Sequence, residues 1–418
     1  MLRLVLPTLL AATCLVTLAP SQANACGGFV CNNPNGGGPT PVVQAGERVI
    51  FEKRADGRIR AYVQIRYNQP GGPPIGFSWI VPVMNIPEIG IANAGMFDIL
   101  DNATAPQFRF LTQQGPVSGG GGGGGCSDSS GADFSRGGAP GAFNETADAS
   151  GVMVWGQERV GDYETAIIGS EDPMVLIEWL TERDYDIPEG AEDLIGDYVE
   201  EGHVFAAFRY APLGEGTGTL TPITLTMQAD KPCVPIRITA IASTPILDVM
   251  VMALGDVRAA PYGPYVEAMP DYEAIRQDFS SPTQTTYQIE VDRAIGAAGD
   301  HAWVVEHASQ TRDVLSLIPN DSSTGAAPGL LEAQSLLARN RYLTRFYTRY
   351  RPETMTIDPE FVFDGGSDVS NFHVIDLTDT EFAQNDATGD SAIQIASVPT
   401  VVITVGLALL WRRRKYSI

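Results

Sequence analysis

Apolar and polar positions alternate along much of this chain with the two-residue period of a strand. In Arg58–Tyr67, Ile59, Ala61, Val63, Ile65 and Tyr67 fall on one side, while Arg58, Arg60, Gln64 and Arg66 fall on the other. Such a strand buries one face. Residues 47–54 form a second strand, joined to the first across Asp56-Gly57, a favoured hairpin turn pair. Residues 77–83 are more continuously apolar and read as a third strand of the same antiparallel meander, with Pro82 suited to a strand end. Further strands are expected over 107–111, 152–160, 163–168, 203–210, 223–228, 234–241, 246–254 and 303–307.

Between these runs the period changes to that of a helix. A short helix is expected over 96–100, and another over 173–183 with Asp172 as its cap and Pro173 in its first turn. Others are expected over 191–200, 272–279 and 284–294. The strongest helical pattern covers 331–350: at a 3.6 period Tyr342, Leu343, Phe346, Tyr347 and Tyr350 share one face and Arg341, Arg345 and Arg349 the other. These elements together predict an α+β fold, an antiparallel β-rich ectodomain with packed helices.

Two breaks divide the pattern. Residues 118–150 contain seven consecutive glycines, Gly119 to Gly125, then mostly Ser, Gly, Asp and Ala. Such a composition does not repay its ordering entropy and reads as a flexible surface loop. It is not a phosphate loop, because no Lys-Ser/Thr follows and no helix starts there. The second break, 364–394, is acidic, small and polar, and reads as a stalk. The expected organisation is therefore a signal peptide (1–25), a β-rich domain (26–117), the Gly/Ser-rich loop (118–150) and a mixed α/β domain (151–363). The stalk (364–394), an apolar helix (395–411) and a basic tail (412–418) follow.

The ends suggest location. Met1-Leu2-Arg3 leads into an apolar run that closes at Ala23-Asn24-Ala25, so cleavage is expected between Ala25 and Cys26. At the other end, 395–411 is apolar and is followed by Arg412, Arg413, Arg414 and Lys415, a stop-transfer or sorting signal. With only about 17 apolar residues and Pro399 among them, the segment is near the lower limit for a span. The ectodomain is then expected in the periplasm or on the cell surface.

Charge and cysteines agree with export. Of 27 basic residues, Arg3 lies in the signal and four lie in the tail, and neither end holds an acid. The exported part keeps all 50 acids against 22 bases, a net charge of −28 that disfavours nucleic acid. Removing Cys14 with the signal leaves Cys26, Cys31, Cys126 and Cys233, an even number consistent with two disulfides. Cys26–Cys31 is the natural local pair, leaving Cys126–Cys233 as the long-range one. Lipidation of Cys26 is the rival, against which Ala23 stands where a Leu-like residue is usual.

Candidate chemistry is sparse. None of the four histidines, His203, His301, His307 and His373, has a metal-binding spacing. Glu306 with His307 could form a site, but ordinary strand-end residues explain them as well. No Gly-x-Ser-x-Gly elbow is present, and no local motif gives a cysteine a base. Residues 158–201 hold fifteen acids and two arginines, spaced as a solvated helix surface. Calcium is the one cofactor left open, with Asp364-Gly365-Gly366-Ser367-Asp368 the best-shaped loop. The arginines at 341, 345 and 349 suit either an anionic partner or internal ion pairs, with the pairs favoured in so acidic a chain.

Several blocks resemble one family. They are Cys26-Gly27-Gly28-Phe29, Gln44 to Phe51, Phe77 to Val83, and Asp172-Pro173 with Glu178-Trp179-Leu180. Pro232 to Thr239, Tyr342 to Arg345 with Met355 to Pro359, and Asp368 to Asn371 complete the set. The chain from Cys26 to His373 thereby resembles the bacterial domain of unknown function 2330. The resemblance implies an exported protein of Gram-negative bacteria, supports pairing of Cys26 with Cys31, and treats the Gly-rich insert as a variable loop. It carries over no catalytic residue and no cofactor.

The leading expectation is a non-enzymatic binding or structural ectodomain, tethered by its C-terminal helix and facing an envelope or extracellular partner. It predicts no deep pocket with convergent polar groups. The alternative, an envelope hydrolase with a site assembled from distant residues, predicts such a pocket containing a histidine or paired carboxylates. A third reading, calcium-dependent adhesion, needs three or more convergent oxygen ligands.

Overall fold

A computed structural model describes residues 29–30, 44–67, 78–111, 146–147, 151–185, 187, 190–212, 220–241, 243–277, 285–320 and 327–378. Strand β1 (Phe29–Val30) precedes the hairpin of β2 (Gln44–Lys53) and β3 (Arg58–Tyr67). β4 (Ser78–Val83), β5 (Glu88–Ile91), α1 (Ala94–Thr104) and β6 (Gln107–Leu111) follow. Next come β7 (Thr146–Ala147), β8 (Met153–Val160), β9 (Tyr163–Gly169), α2 (Pro173–Glu182) and α3 (Ala191–Glu200). The chain continues with β10 (Val204–Tyr210), β11 (Ile223–Gln228), α4 (Ile236–Thr239), β12 (Ser243–Gly255), β13 (Ala259–Tyr262) and β14 (Val266–Ala268). It ends with α5 (Tyr287–Ala297), β15 (Ala302–Gln310), α6 (Thr311–Leu317), α7 (Pro328–Arg339), β16 (Tyr342–Tyr350), β17 (Glu360–Phe363) and β18 (Phe372–Asp376). The fold is α+β.

Two sheets organise the larger unit, 1–109 with 122–375. One has the order β1-β4-β10-β9-β8-β7, and the other β14-β15-β16-β12-β2-β3-β11-β5. The second is mixed, with β12 parallel to β2 and β14 parallel to β15. Each sheet draws strands from both sides of the Gly-rich segment.

Strand periodicity explains the layers. On β3, Ile59, Ala61, Val63 and Ile65 join the core between the sheets, while Tyr62 points to the opposite face. On β12, Leu247, Val249, Val251 and Ala253 face inward and Met250, Met252 and Leu254 outward, so this strand is buried on both sides and its apolar run is continuous. Facing them across the middle are Trp79, Val81 and Val83 of β4 and Ala206 and Phe208 of β10. Helices α1, α6 and α7 cover the outer face of the eight-stranded sheet, and α2, α3 and α4 that of the six-stranded sheet. The unit is a four-layer α/β/β/α sandwich.

Local signals held in several places. Asp172 accepts a hydrogen bond from Met174 N–H at 2.9 Å and Pro173 opens α2, as its capping pattern predicts. Others were overturned. Residues 331–350 are not one helix: α7 ends at Arg339, Asn340 is extended, and 342–350 is β16. Its β-branched Thr344 and Thr348 alternate with Arg345 and Arg349, and aromatics and arginines placed four apart satisfy periods of 2 and 3.6 equally. Residues 78–83 do not continue the β2–β3 meander, because β4 pairs with β1 and β10 in the other sheet. The predicted strand over 234–241 is the short helix α4, and of the predicted 272–279 helix the described residues form only a 3-10 turn, Tyr272–Ala274.

The first part of the expected stalk, residues 364–376, is joined to the fold. Val369 exchanges backbone hydrogen bonds with Ala308, and Asn371 O accepts from Gln107 N–H at 2.7 Å. In the smaller unit, 110–121 with 376–418, Leu377 N–H donates to Leu111 O at 2.9 Å. The expected signal segment 1–25, the apolar segment 395–411 and Arg412, Arg413, Arg414 and Lys415 lie outside the described residues, as does all of 118–150 except Thr146–Ala147. Among the described residues no helix is long and apolar enough to cross a membrane.

Helices α1 and α7 meet through two glycines. A Cβ on Gly329 would lie 2.7 Å from the Gly95 carbonyl carbon and 2.8 Å from Met96 N. Both are backbone atoms that cannot swing aside, so Gly329→Ala should destabilise the fold by about 1–3 kcal/mol. Urea unfolding measures this directly. An unchanged midpoint would mean that the helices do not approach so closely.

Candidate functional site

A crevice opens between the two sheets. β4 forms one wall, with Trp79, Val81 and Val83 turned inward, and β2, β3 and β11 form the other with Val49, Val63 and Leu225. From Trp79 to Val83 the wall extends about 13 Å at strand rise. The enclosed volume is ≈ 110 Å³. It shares Met84, His203, Lys231, Cys233 and Asp358 with a wider polar cleft of ≈ 590 Å³. Met84 at this rim is 56% exposed.

Three separate stretches assemble the rim. His203 stands in the turn between α3 and β10, where Gly202 adopts a positive φ of 84° that suits glycine. Its N–H donates to Tyr198 O at 2.9 Å, and its ring packs edge-on against Tyr198 at 5.0 Å. Cys233 lies between two prolines before α4, its segment bound to β17 and the residue ahead of it by Phe361 N–H to Pro232 O (2.9 Å) and Val234 N–H to Pro359 O (3.1 Å). Asp358, from that same stretch, completes the set.

Most charge at the rim is internally paired. Asp358 accepts from Arg237 N–H (2.9 Å), Arg237 Nε (3.1 Å) and Tyr198 Oη (2.8 Å). The Arg237 guanidinium also makes a two-pronged bond to Glu201, at 2.9 and 2.6 Å, and lies 4.2 Å over the Tyr198 ring. Hydrogen bonding from Arg237 holds the Glu201 carboxyl below its usual range. Lys231 bonds Glu360 at 2.6 Å. Burial lowers the His203 pKa despite nearby Glu201, so the imidazole is neutral at pH 7. His203 Nδ1 is buried without a hydrogen bond among the described residues, 3.7 Å from Glu201 Oε2.

Inside the crevice sits one acid. Glu47 shares its strand face with Val49 and Phe51, and burial lifts its pKa to about 7 against the lowering effect of a Gln44 hydrogen bond. Gln44 Nε2 donates to Glu47 Oε2 at 3.3 Å.

This arrangement departs from the expectation of no deep pocket. A pocket exists, and a histidine and carboxylates stand at its rim. The other sequence candidates lie elsewhere. Glu306 is buried, bonded to Tyr287 Oη at 2.8 Å and Arg345 Nε at 2.5 Å, while the adjacent His307 contacts Ser309 Oγ at 2.9 Å. His301 reaches Thr356 Oγ1 at 3.1 Å, and His373 stacks on Tyr272 at 3.9 Å. The arginines of β16 are paired: Arg345 with Glu306 and Asp101, Arg349 with Asp248 and Asp292. In the proposed calcium loop, Asp368 accepts from Tyr342 Oη and Gly365 N–H donates to Arg258 O at 3.0 Å. Among the described residues no group of three or more His, Cys, Asp or Glu could hold a metal ion.

Among the described residues Cys233 is a free, exposed cysteine; its expected partner Cys126, like Cys26 and Cys31, lies outside them. Periodicity could have found Glu47, the one acid in register with Val49 and Phe51. Nothing local could have joined His203, Cys233 and Asp358, which no shared element carries.

No curated protein and no solved structure shows a significant match to the chain. A bacterial family profile matches residues 20–362, spanning both sheets, the crevice and the rim. The chain belongs to that family, DUF2330, described as an uncharacterized protein conserved in bacteria.

Proposed function

We propose that this protein is an exported, membrane-tethered envelope protein whose folded part binds an amphiphilic ligand without transforming it. The aliphatic portion of the ligand occupies the inter-sheet crevice, which it enters through the polar cleft at the rim. The observation that carries this reading is the continuity of an apolar crevice with a polar cleft, the usual composition of a small-molecule site. A dry cavity of about 150 Å³ binds benzene, so the crevice of ≈ 110 Å³ takes about four carbons of a chain and the rest of a hexyl group reaches into the cleft. Export and tethering rest on the sequence pattern of 1–25 and of 395–411 with its basic end.

The hydrolase alternative draws on His203 and Cys233 sharing one cleft. Against it, no hydrogen bond joins the two side chains among the described residues, so no imidazole is set to take the thiol proton. The neighbouring carboxylates, Asp358 and Glu201, are both engaged by Arg237.

The test is thermal unfolding of the detergent-free full chain with 1-hexanol. At 100 times Kd a ligand of the native state adds about 2.7 kcal/mol, so the melting temperature should rise. Val63→Trp, which fills the crevice, should abolish that rise while still melting cooperatively. An equal rise in the variant would place binding elsewhere. Cys233-dependent hydrolysis of a hexanoyl ester would favour the enzyme.

A further inference from the structure

Besides its charged rim, the crevice has one polar patch. Gln44 is 1% exposed, and its Nε2 is occupied by Glu47. Its Oε1 is buried with no hydrogen-bond partner among the described residues. Both side chains line the crevice. A buried acceptor without a donor is costly, and a ligand carrying a donor would remove that cost.

We infer that the crevice selects aliphatic chains ending in a primary ammonium group, which Gln44 Oε1 and the Glu47 carboxylate receive together; this rests on the chain-binding reading above. An ammonium brings three donors to two acceptors, where a hydroxyl brings one. It also pairs the Glu47 charge, which is already desolvated by the fold. A carboxylate-ended chain would bring an acceptor to acceptors and a negative charge to an acidic protein.

Among the described residues no cation already fills this role. β3 and β12 set Ile65 and Val249 in register with Glu47. The ionisable group facing it from β16 is the Tyr350 phenol, pushed well above its usual pKa by burial and therefore neutral. Gln44 is the partner on its own strand.

The experiment is calorimetric titration of the full chain with n-hexylamine, 1-hexanol and hexanoate at pH 6 and pH 8. At pH 8 hexylamine should bind at least about tenfold more tightly than hexanol, and hexanoate should bind most weakly. Hexylamine affinity should fall about tenfold at pH 6, because Glu47, with a pKa near 7, takes up the proton that excludes the ammonium. Glu47→Gln should remove both the preference and the pH dependence. Gln44→Met, which removes the orphan acceptor, should also weaken hexylamine. Equal, pH-independent binding of hexylamine and hexanol overturns the ammonium selectivity and leaves chain binding intact. Failure of all three probes to bind overturns both.

Discussion

Replacing Arg345 by Met should lower stability by about 3–5 kcal/mol, because it leaves a buried carboxylate without its cation. Arg345 lies on the helix-covered face of β16. It joins Glu306 of β15 at 2.5 Å, Asp101 of α1 at 2.5 Å and Thr104 Oγ1 at 3.3 Å. The side chains of Glu306 and Arg345 are 2% and 8% exposed, so solvent cannot replace either partner. Among the described residues Tyr287 Oη is the one further donor to Glu306, and it cannot neutralise the charge. The double variant Arg345→Met with Glu306→Leu should recover most of the loss, since a buried pair replaced by apolar groups of similar volume is often neutral. Chemical denaturation of both variants checks this. A single variant costing under about 1 kcal/mol would show that water reaches Glu306.

Glu47→Gln should act in the opposite direction at neutral and alkaline pH. The folded state raises this carboxyl from 4.5 to about 7, so between those values the folded protein holds a proton that the unfolded chain has released. Stability therefore falls as pH rises from about 4.5 to about 7, by about 1.4 kcal/mol per unit, and levels off above. The whole loss is about 3 kcal/mol. Glutamine keeps the shape and the hydrogen-bonding capacity without this dependence. Relative to the parent, the variant should gain about 3 kcal/mol between pH 4.5 and pH 8 in urea unfolding. Parallel pH curves for the two proteins would mean that Glu47 is hydrated in the folded state.

Much of the fold was legible because burial on a strand leaves a period of two. β3 and β6 match their predicted bounds, and α2 starts at its predicted cap. What failed had a physical cause. β16 carries Tyr and Arg spacings that fit a helix as well as a strand, and only its partners β12 and β15 decide between them. β4 follows β3 in sequence but crosses to the opposite sheet, a choice made by long-range pairing with β10. Of the arginine stripe, Arg345 and Arg349 are internally paired, on a strand rather than a helix. The rim of the crevice was hidden because His203, Cys233 and Asp358 come from three turns that meet only after both sheets form. Glu47 alone left a local trace, an acid on the apolar face of its strand.

That acid and the apolar walls around it make the crevice the centre of this account. Methyl resonances of the full chain, followed during titration with 1-hexanol, report on its occupancy most directly. Val49, Val63, Val81 and Leu225 should shift saturably, while Leu336 and Leu343 in the helix-covered core of the eight-stranded sheet should stay in place. Shifts that spread over both cores without saturating, or that leave the crevice methyls unmoved, would contradict a ligand site between the sheets.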